Sequence, residues 1–159
     1  MGTNQKPAVL IVDDEEMVIT SVRAYLQLET EFDIHGFTDP EQALKHIESN
    51  LIDIVVSDYL MPKISGIQLL GKARAMQPEA SRVLLTGHAD KQSAIQAIND
   101  VGLYQYVEKP WENAQLLLII QNGIERARLL RTLHDKVSEL DTAHSSLKDV
   151  QRRLLQAFL

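Results

Sequence analysis

From Ala8 to Lys109 the chain alternates between two hydrophobic patterns. Short apolar runs have the length and the β-branched and aromatic content of strands: "AVLIVD" (Ala8 to Asp13), "FDIHGF" (Phe32 to Phe37), "IDIVVSD" (Ile52 to Asp58), "RVLLT" (Arg82 to Thr86) and "YQYVEK" (Tyr104 to Lys109). Between them lie "EEMVITSVRAYLQLE", "DPEQALKHIESN", "SGIQLLGKARAMQ" and "DKQSAIQAINDVG", where apolar residues return at helical spacing. The first, third and fourth runs are nearly continuous in Val, Ile and Leu, the pattern of strands covered on both faces. The punctuation agrees. Asp39 ahead of Pro40 and Ser65 ahead of Gly66 stand where an N-cap and a first helical residue belong, and Gly102 stands just past a helix end. Five strand-helix units in succession predict the α/β class: a doubly wound, five-stranded parallel sheet with helices on both faces.

From Trp111 the helical period runs on without a stop. Gly123 is its only breaker, and a lone glycine inside a helix costs about 1 kcal/mol relative to alanine without ending it. Beyond it Leu133, Leu140, Leu147 and Leu154 recur every seven residues. Taken as d positions, they put Leu130, Val137, His144, Gln151 and Phe158 at a. Such a seam is a coiled coil with two polar layers, and polar a residues fix register and strand number at a cost in stability. An amphipathic helix folded back on its own domain is the alternative. A helix of about 45 residues runs about 68 Å at 1.5 Å per residue, farther than one domain reaches, so the pattern predicts a partner helix and a parallel homodimer. The expected organisation is a domain over 1–123 and a coiled-coil helix over 124–159.

Composition sharpens that division. Of 159 residues, 45% are hydrophobic and 24% charged, which suits one domain plus an extension. The net charge of −6 is unevenly placed: residues 1–123 hold 9 Lys+Arg against 17 Asp+Glu, and residues 124–159 hold 7 against 5. An acidic body lacks the clustered cations that a nucleic-acid surface needs, so no direct nucleic-acid partner is expected. Cysteine is absent, which excludes disulfides, a thiolate nucleophile and a Cys-ligated metal. No apolar run reaches the roughly 18 residues of a membrane span and no signal-peptide pattern opens the chain, so the expected location is the cytoplasm with no membrane partner. The chain stops on "LLQAFL" without a capping residue, which reads as a cut within a longer protein.

In doubly wound sheets the functional crevice lies at the carboxyl ends of the strands, near the topological switch point. The first predicted strand delivers Asp13 and Asp14 there, the third Asp58, the fourth Thr86 and the fifth Lys109. One aspartate at such a place serves as readily as a helix cap. Three carboxylates converging with an ammonium are different, because like charges held close require a proton or a cation to neutralise them. Oxygen-only ligands select a hard cation, and Mg²⁺ suits a site that keeps waters and a position for a phosphoryl oxygen. Lys109 adds a compact positive charge and Thr86 a hydroxyl donor. Together these are the parts of a phosphoryl-transfer site, with one carboxylate as the nucleophile.

The residues at these positions resemble the receiver domain of two-component response regulators: Asp13-Asp14, "DYLMPKISG" from Asp58, "LLTG" with Thr86, and "YVEKPW" with Tyr106 and Lys109. The resemblance runs from about Ala8 to Gly123 and implies a flavodoxin-like (βα)5 fold. It implies that Asp58 accepts a phosphoryl group from a phosphohistidine on a histidine kinase or phosphotransfer protein. Mg²⁺ would be held by Asp13, Asp14, Asp58 and the backbone carbonyl of Leu60, Lys109 would contact the phosphoryl oxygens, and the Lys109-Pro110 bond would be cis. Thr86 and Tyr106 would form a switch pair, in which the hydroxyl moves to the phosphoryl group and the ring swings inward. That motion would change the face made by the fourth helix, fifth strand and fifth helix, a second homodimer contact beside the tail. On the residues alone, Tyr106 reads equally as a half-buried strand aromatic.

Some positions depart from the family's usual residues or allow other readings. Gly87 follows Thr86 where the family often has Ala. Leu60 and His88, two residues past Asp58 and Thr86, occupy places that tune water attack on the phosphoaspartate, and an apolar Leu60 implies a long-lived phosphoform. His88 as a metal ligand is an alternative. Phosphatases of the haloacid dehalogenase type are a rival class, but they need a second aspartate where Leu60 stands. A receiver-like scaffold that dimerises without phosphorylation is the other rival. The expected protein is no enzyme beyond gaining and losing its own phosphate. By family analogy it is placed ahead of an output module, often an enzyme of cyclic-dinucleotide metabolism or a kinase.

Overall fold

In the computed structural model, which describes residues 5–158, five short strands pair in parallel: β1 (Ala8–Val12), β2 (Asp33–Phe37), β3 (Ile54–Asp58), β4 (Ser81–Thr86) and β5 (Gln105–Glu108). Their order across the sheet is β2-β1-β3-β4-β5. The near-continuous apolar runs take the three central places, where β3 and β4 are buried along their whole length. β2 and β5, with their polar and aromatic residues, take the half-exposed edges.

Successive side chains of a strand point to opposite faces, and the core divides accordingly. Leu10, Val12, Val55 and Leu84 pack with residues of α2 (Pro40–Ser49), α3 (Gly66–Met76) and α4 (Lys91–Asp100). Val9, Ile11, Ile54, Val56, Val83 and Leu85 pack with α1 (Glu16–Glu29) and the first turns of α5 (Asn113–Phe158). Each fully buried Leu or Ile contributes about 1.5–3 kcal/mol relative to exposure. The expected caps are present. Asp39 accepts from the Glu41 amide at 3.0 Å, Ser65 and Gln68 form a reciprocal capping box, and Gly102 carries φ +61° after α4.

The strand boundaries differ slightly from the sequence reading. Asp13 and Lys109, expected inside strands, lie one residue past β1 and β5, because the ladder ends at Val12 opposite Phe37 and at Glu108 opposite Thr86. β4 starts one residue early, at Ser81, whose amide bonds to Asp53 O at 3.0 Å. Asp13 and Lys109 stand at the lip of the sheet, each still donating its amide to the neighbouring strand, Asp13 to Phe37 O at 3.2 Å and Lys109 to Thr86 O at 2.7 Å.

Packing divides the chain after Ala127, with a second unit from Arg128. Ile124 and Ala127 are still buried, four residues past Gly123 where the domain boundary was expected. At Gly123 α5 packs tightly on the sheet: a Cβ there would stand 2.6 Å from Ile54 Cδ1, and its carbonyl accepts from Ser81 Oγ at 2.6 Å. In the second unit Leu133, Val137, Leu140, Leu147 and Leu154 are exposed. The side chain of Phe158, expected at an a position, lies outside the described residues. Among the described residues no helix is long and apolar enough to cross a membrane.

Two glycines of α3 test this packing in opposite directions. A Cβ on Gly66 would strike the carbonyl of Asp58 and come within 2.9 Å of Leu84 Cδ1, whereas one on Gly71 would meet only Val101 Cγ1, at 3.7 Å. Gly66→Ala is expected to lower the unfolding free energy by roughly 1–3 kcal/mol. Gly71→Ala should raise it by up to about 1 kcal/mol through helix propensity. Urea unfolding of both variants checks the ranking.

Candidate functional site

Because β1 and β3 are neighbours at the point where the strand order reverses, their carboxyl ends open onto one edge. Asp13 and Asp14 follow β1 and Asp58 ends β3. One carboxylate oxygen from each lies within 4.8 Å of the others. Asp13 is fully buried, Asp58 is nearly so, and Asp14 is exposed. Lys109 reaches in from the end of β5. Its amide is fixed on Thr86 O at 2.7 Å, its Nζ donates to Asp58 Oδ1 at 2.9 Å, and it stands 3.6 Å from Asp13 Oδ2.

Only one oxygen of Asp13 is hydrogen-bonded. Its Oδ1 accepts from the Glu15 amide at 2.9 Å, while its buried Oδ2 has no hydrogen-bond partner. An oxygen left in that state costs free energy unless something outside the chain satisfies it. Three carboxylates facing one ammonium also leave negative charge uncompensated. A hard divalent cation fits this donor set, which is all oxygen and has one oxygen lacking a partner.

The electrostatics follow from burial and proximity. Burial raises the Asp13 carboxyl; the Glu15 amide and Lys109 pull it down and Asp58 and Asp14 push it up, with a net rise from 3.8 to about 6. Burial also raises Asp58, against the hydrogen bond and charge of Lys109. For Lys109 burial disfavours the charged form, but the hydrogen bond to Asp58 and the fields of Asp13 and Asp58 outweigh it, and its pKa is raised. Lys109 is a firm cation between two carboxylates that resist ionising together.

The remaining predicted residues border this cluster. Thr86 is fully buried, and its hydroxyl donates only a long bond, 3.4 Å, to Val107 O. Tyr106 lies on β5 beside Leu84, half-buried, lining a cleft of about 480 Å³ with Pro110, Trp111 and Leu118. The side chain of Leu60 is 62% exposed in the loop after Asp58, and the Lys109-Pro110 bond is cis. His88 is not drawn into the carboxylate cluster. Its Nδ1 pairs with Glu108 Oε1 at 2.7 Å, and that hydrogen bond holds the Glu108 carboxyl below its ordinary range.

The sequence reading missed both the Glu15 amide and the His88–Glu108 bridge. The second had a readable signal, since Thr86 pairs with Glu108 in the ladder and His88 follows Thr86 by two residues. The first also had a sign, since an aspartate between a strand and a helix commonly accepts the amide two residues on, as Asp39 does from Glu41.

Residues 9–121 match the response regulator receiver domain family. The hydrogenase transcriptional regulatory protein HoxA of Cupriavidus necator is 27% identical over 146 residues, 92% of this chain and 30% of that protein. The C4-dicarboxylate transport transcriptional regulatory protein DctD of Rhizobium meliloti is 32% identical over 124 residues, 78% of this chain and 26% of that protein. The chain therefore spans less than a third of either relative. The signal receiver domain of an HD domain-containing protein from Pseudomonas fluorescens Pf-5 shares 30% identity at a TM-score of 0.76, covering 82% of this chain and 95% of that one.

The raised Asp13 carboxyl sets a pH dependence in the metal-free protein. The folded state, at about 6, holds this proton more tightly than the unfolded chain, at 3.8. Its contribution therefore favours folding fully below the lower value and is lost as pH rises through the upper one. With chelator present, Asp13→Asn is expected to become progressively more stable than wild type between those two pH values, with the gap flat above them. Added Mg²⁺ should stabilise wild type more than the variant. Thermal unfolding across that window checks both, and a pH-independent gap contradicts the assignment.

Proposed function

This chain belongs to the response regulator receiver domain family, and from that premise we propose that Asp58 accepts a phosphoryl group from a histidine kinase or phosphotransfer protein. The observation that carries the reading is the cluster itself: Asp58 at the lip of β3, bonded to Lys109 at 2.9 Å, beside a buried Asp13 oxygen that has no hydrogen bond. An oxygen of Asp58 attacks the phosphorus of a phosphohistidine, the P–O bond forms as the P–N bond breaks, and the imidazole leaves. A Mg²⁺ held by Asp13, Asp14, Asp58 and the Leu60 carbonyl would neutralise the carboxylates and the incoming phosphoryl charge.

The chain's own groups do the positioning. Lys109, charged and tethered through Thr86 O, turns from Asp58 Oδ1 to the phosphoryl oxygens. The Thr86 hydroxyl, held only by its long bond to Val107 O, can exchange it for a charge-assisted one. Tyr106, beside an open cleft, follows. The pair is a two-state element that phosphorylation biases, and it alters the face formed by α4, β5 and α5. We assign that face and residues 124–159 to a homodimer in the cytoplasm. The solvent-facing Leu60 gives an attacking water no hydrogen-bonding help, so the phosphoform is long-lived. Relatives with such receivers include transcriptional regulators and an HD domain-containing protein, so one switch serves different outputs.

Incubation with Mg²⁺ and acetyl phosphate, followed by intact mass measurement, is expected to add one phosphate to wild type and none to Asp58→Ala. The adduct should persist for minutes or longer with Mg²⁺ present. No adduct on wild type, or an equal one on the variant, rejects the phosphoacceptor, and decay within seconds rejects the role given to Leu60.

A further inference from the structure

The second unit carries its own recognition pattern. Leu133, Leu140, Leu147 and Leu154 at d are exposed, as are Val137, His144 and Gln151 at a, with Leu130 half-buried ahead of them. Flanking the seam, the g positions are Leu129, Lys136, Ala143 and Val150, and the e positions are His134, Asp141, Lys148 and Leu155. Leucine at every d position with β-branched Val137 at a is the combination that favours two strands.

Orientation follows from what the polar residues face. In an antiparallel pair each a residue faces a d residue, and every d residue here is leucine. His144 and Gln151 would then each lie against a leucine in every antiparallel register, burying polar groups without partners. A parallel pair shifted by one heptad still sets His144 against Val137. Only the parallel, unstaggered pair puts imidazole beside imidazole and amide beside amide. There each polar layer hydrogen-bonds across the seam and specifies the register.

The flanks agree. In a parallel pair a g residue meets the partner's e residue five positions on, which sets Lys136 against the partner's Asp141 twice per dimer. The other pairs, Leu129 with the partner's His134, Ala143 with the partner's Lys148 and Val150 with the partner's Leu155, place no like charges together. Lys136 stands 3.5 Å from Glu139 on its own helix, but that pair is about two-thirds exposed and holds it weakly. Asp141 has no partner among the described residues.

We propose that residues 128–157 pair with a second copy of the chain in parallel and without stagger, specified by the His144 and Gln151 layers and by Lys136 against the partner's Asp141. This rests on the self-association assigned above and names its geometry.

The natural absence of cysteine makes a direct test possible. Full-length Leu133→Cys and Leu154→Cys are oxidised and compared with Ser145→Cys, which faces away from the seam. In a parallel unstaggered pair, copies of a d residue stand within disulfide reach. In the fully overlapping antiparallel pair the two Leu154 sites lie about 36 Å apart and the two Leu133 sites about 27 Å apart. Both seam variants are expected to give disulfide dimers at least about tenfold faster than the control. Asp141→Lys should weaken the dimer roughly tenfold in sedimentation, and Lys136→Glu added to it should restore the wild-type constant to within about twofold. A sedimenting dimer whose Leu154→Cys does not link overturns the orientation, and indifference to Asp141→Lys overturns the register pair. A reduced wild type that stays monomeric at every concentration removes the self-association itself.

Discussion

Three carboxylates and one ammonium share the carboxyl edge of this sheet, and their mutual repulsion organises the rest of the site. Asp13 and Asp58 are buried, their acid forms are favoured, and one Asp13 oxygen has no hydrogen bond. A fold selected for stability alone would replace such a group or pair it. Here the strain has a use, because whatever brings positive charge to the cluster is bound with part of that cost relieved. A hard cation would do so. The arrangement is therefore a reservoir that couples binding to the free energy of the domain.

The sheet connects that cluster to the β5 edge. Thr86 and Lys109 sit at the ends of adjacent strands, joined by the bond from the Lys109 amide to Thr86 O, and Tyr106 is on the same strand as the residues leading to Lys109. Asp58 is thus connected to the β5 edge through Lys109, the Thr86 carbonyl and the pairing of β4 with β5. The His88–Glu108 bridge spans the same two strand ends.

Much of this was legible because it depends on pattern. Continuous Val, Ile and Leu runs marked β1, β3 and β4 as central, and the first polar residue after each run fell at the functional edge. Asp13, Asp58, Thr86 and Lys109 could be named together without coordinates for that reason. The four-residue displacement of the packed boundary was not legible, because Gly123 reads as a weak point in a helix when it is a point of close approach to Ile54 and Ser81. Nor was the Asp13 oxygen without a hydrogen bond, which arises from the burial of one side chain and from an amide two residues on that takes only its other oxygen. How deeply a side chain is buried at the lip of a sheet is a three-dimensional outcome, whereas the caps at Asp39 and Ser65 follow from residue type and position.

Everything in this site depends on a cation going to this cluster. Titrating the metal-free protein with Mn²⁺, a paramagnetic stand-in for Mg²⁺, and following the broadening of backbone amide resonances tests it directly. The account predicts early broadening at Asp13, Asp14, Glu15, Asp58 and Leu60, its loss in Asp13→Asn, and no effect on residues 128–157 at the same concentration. Broadening centred anywhere else, or unchanged by Asp13→Asn, would contradict it.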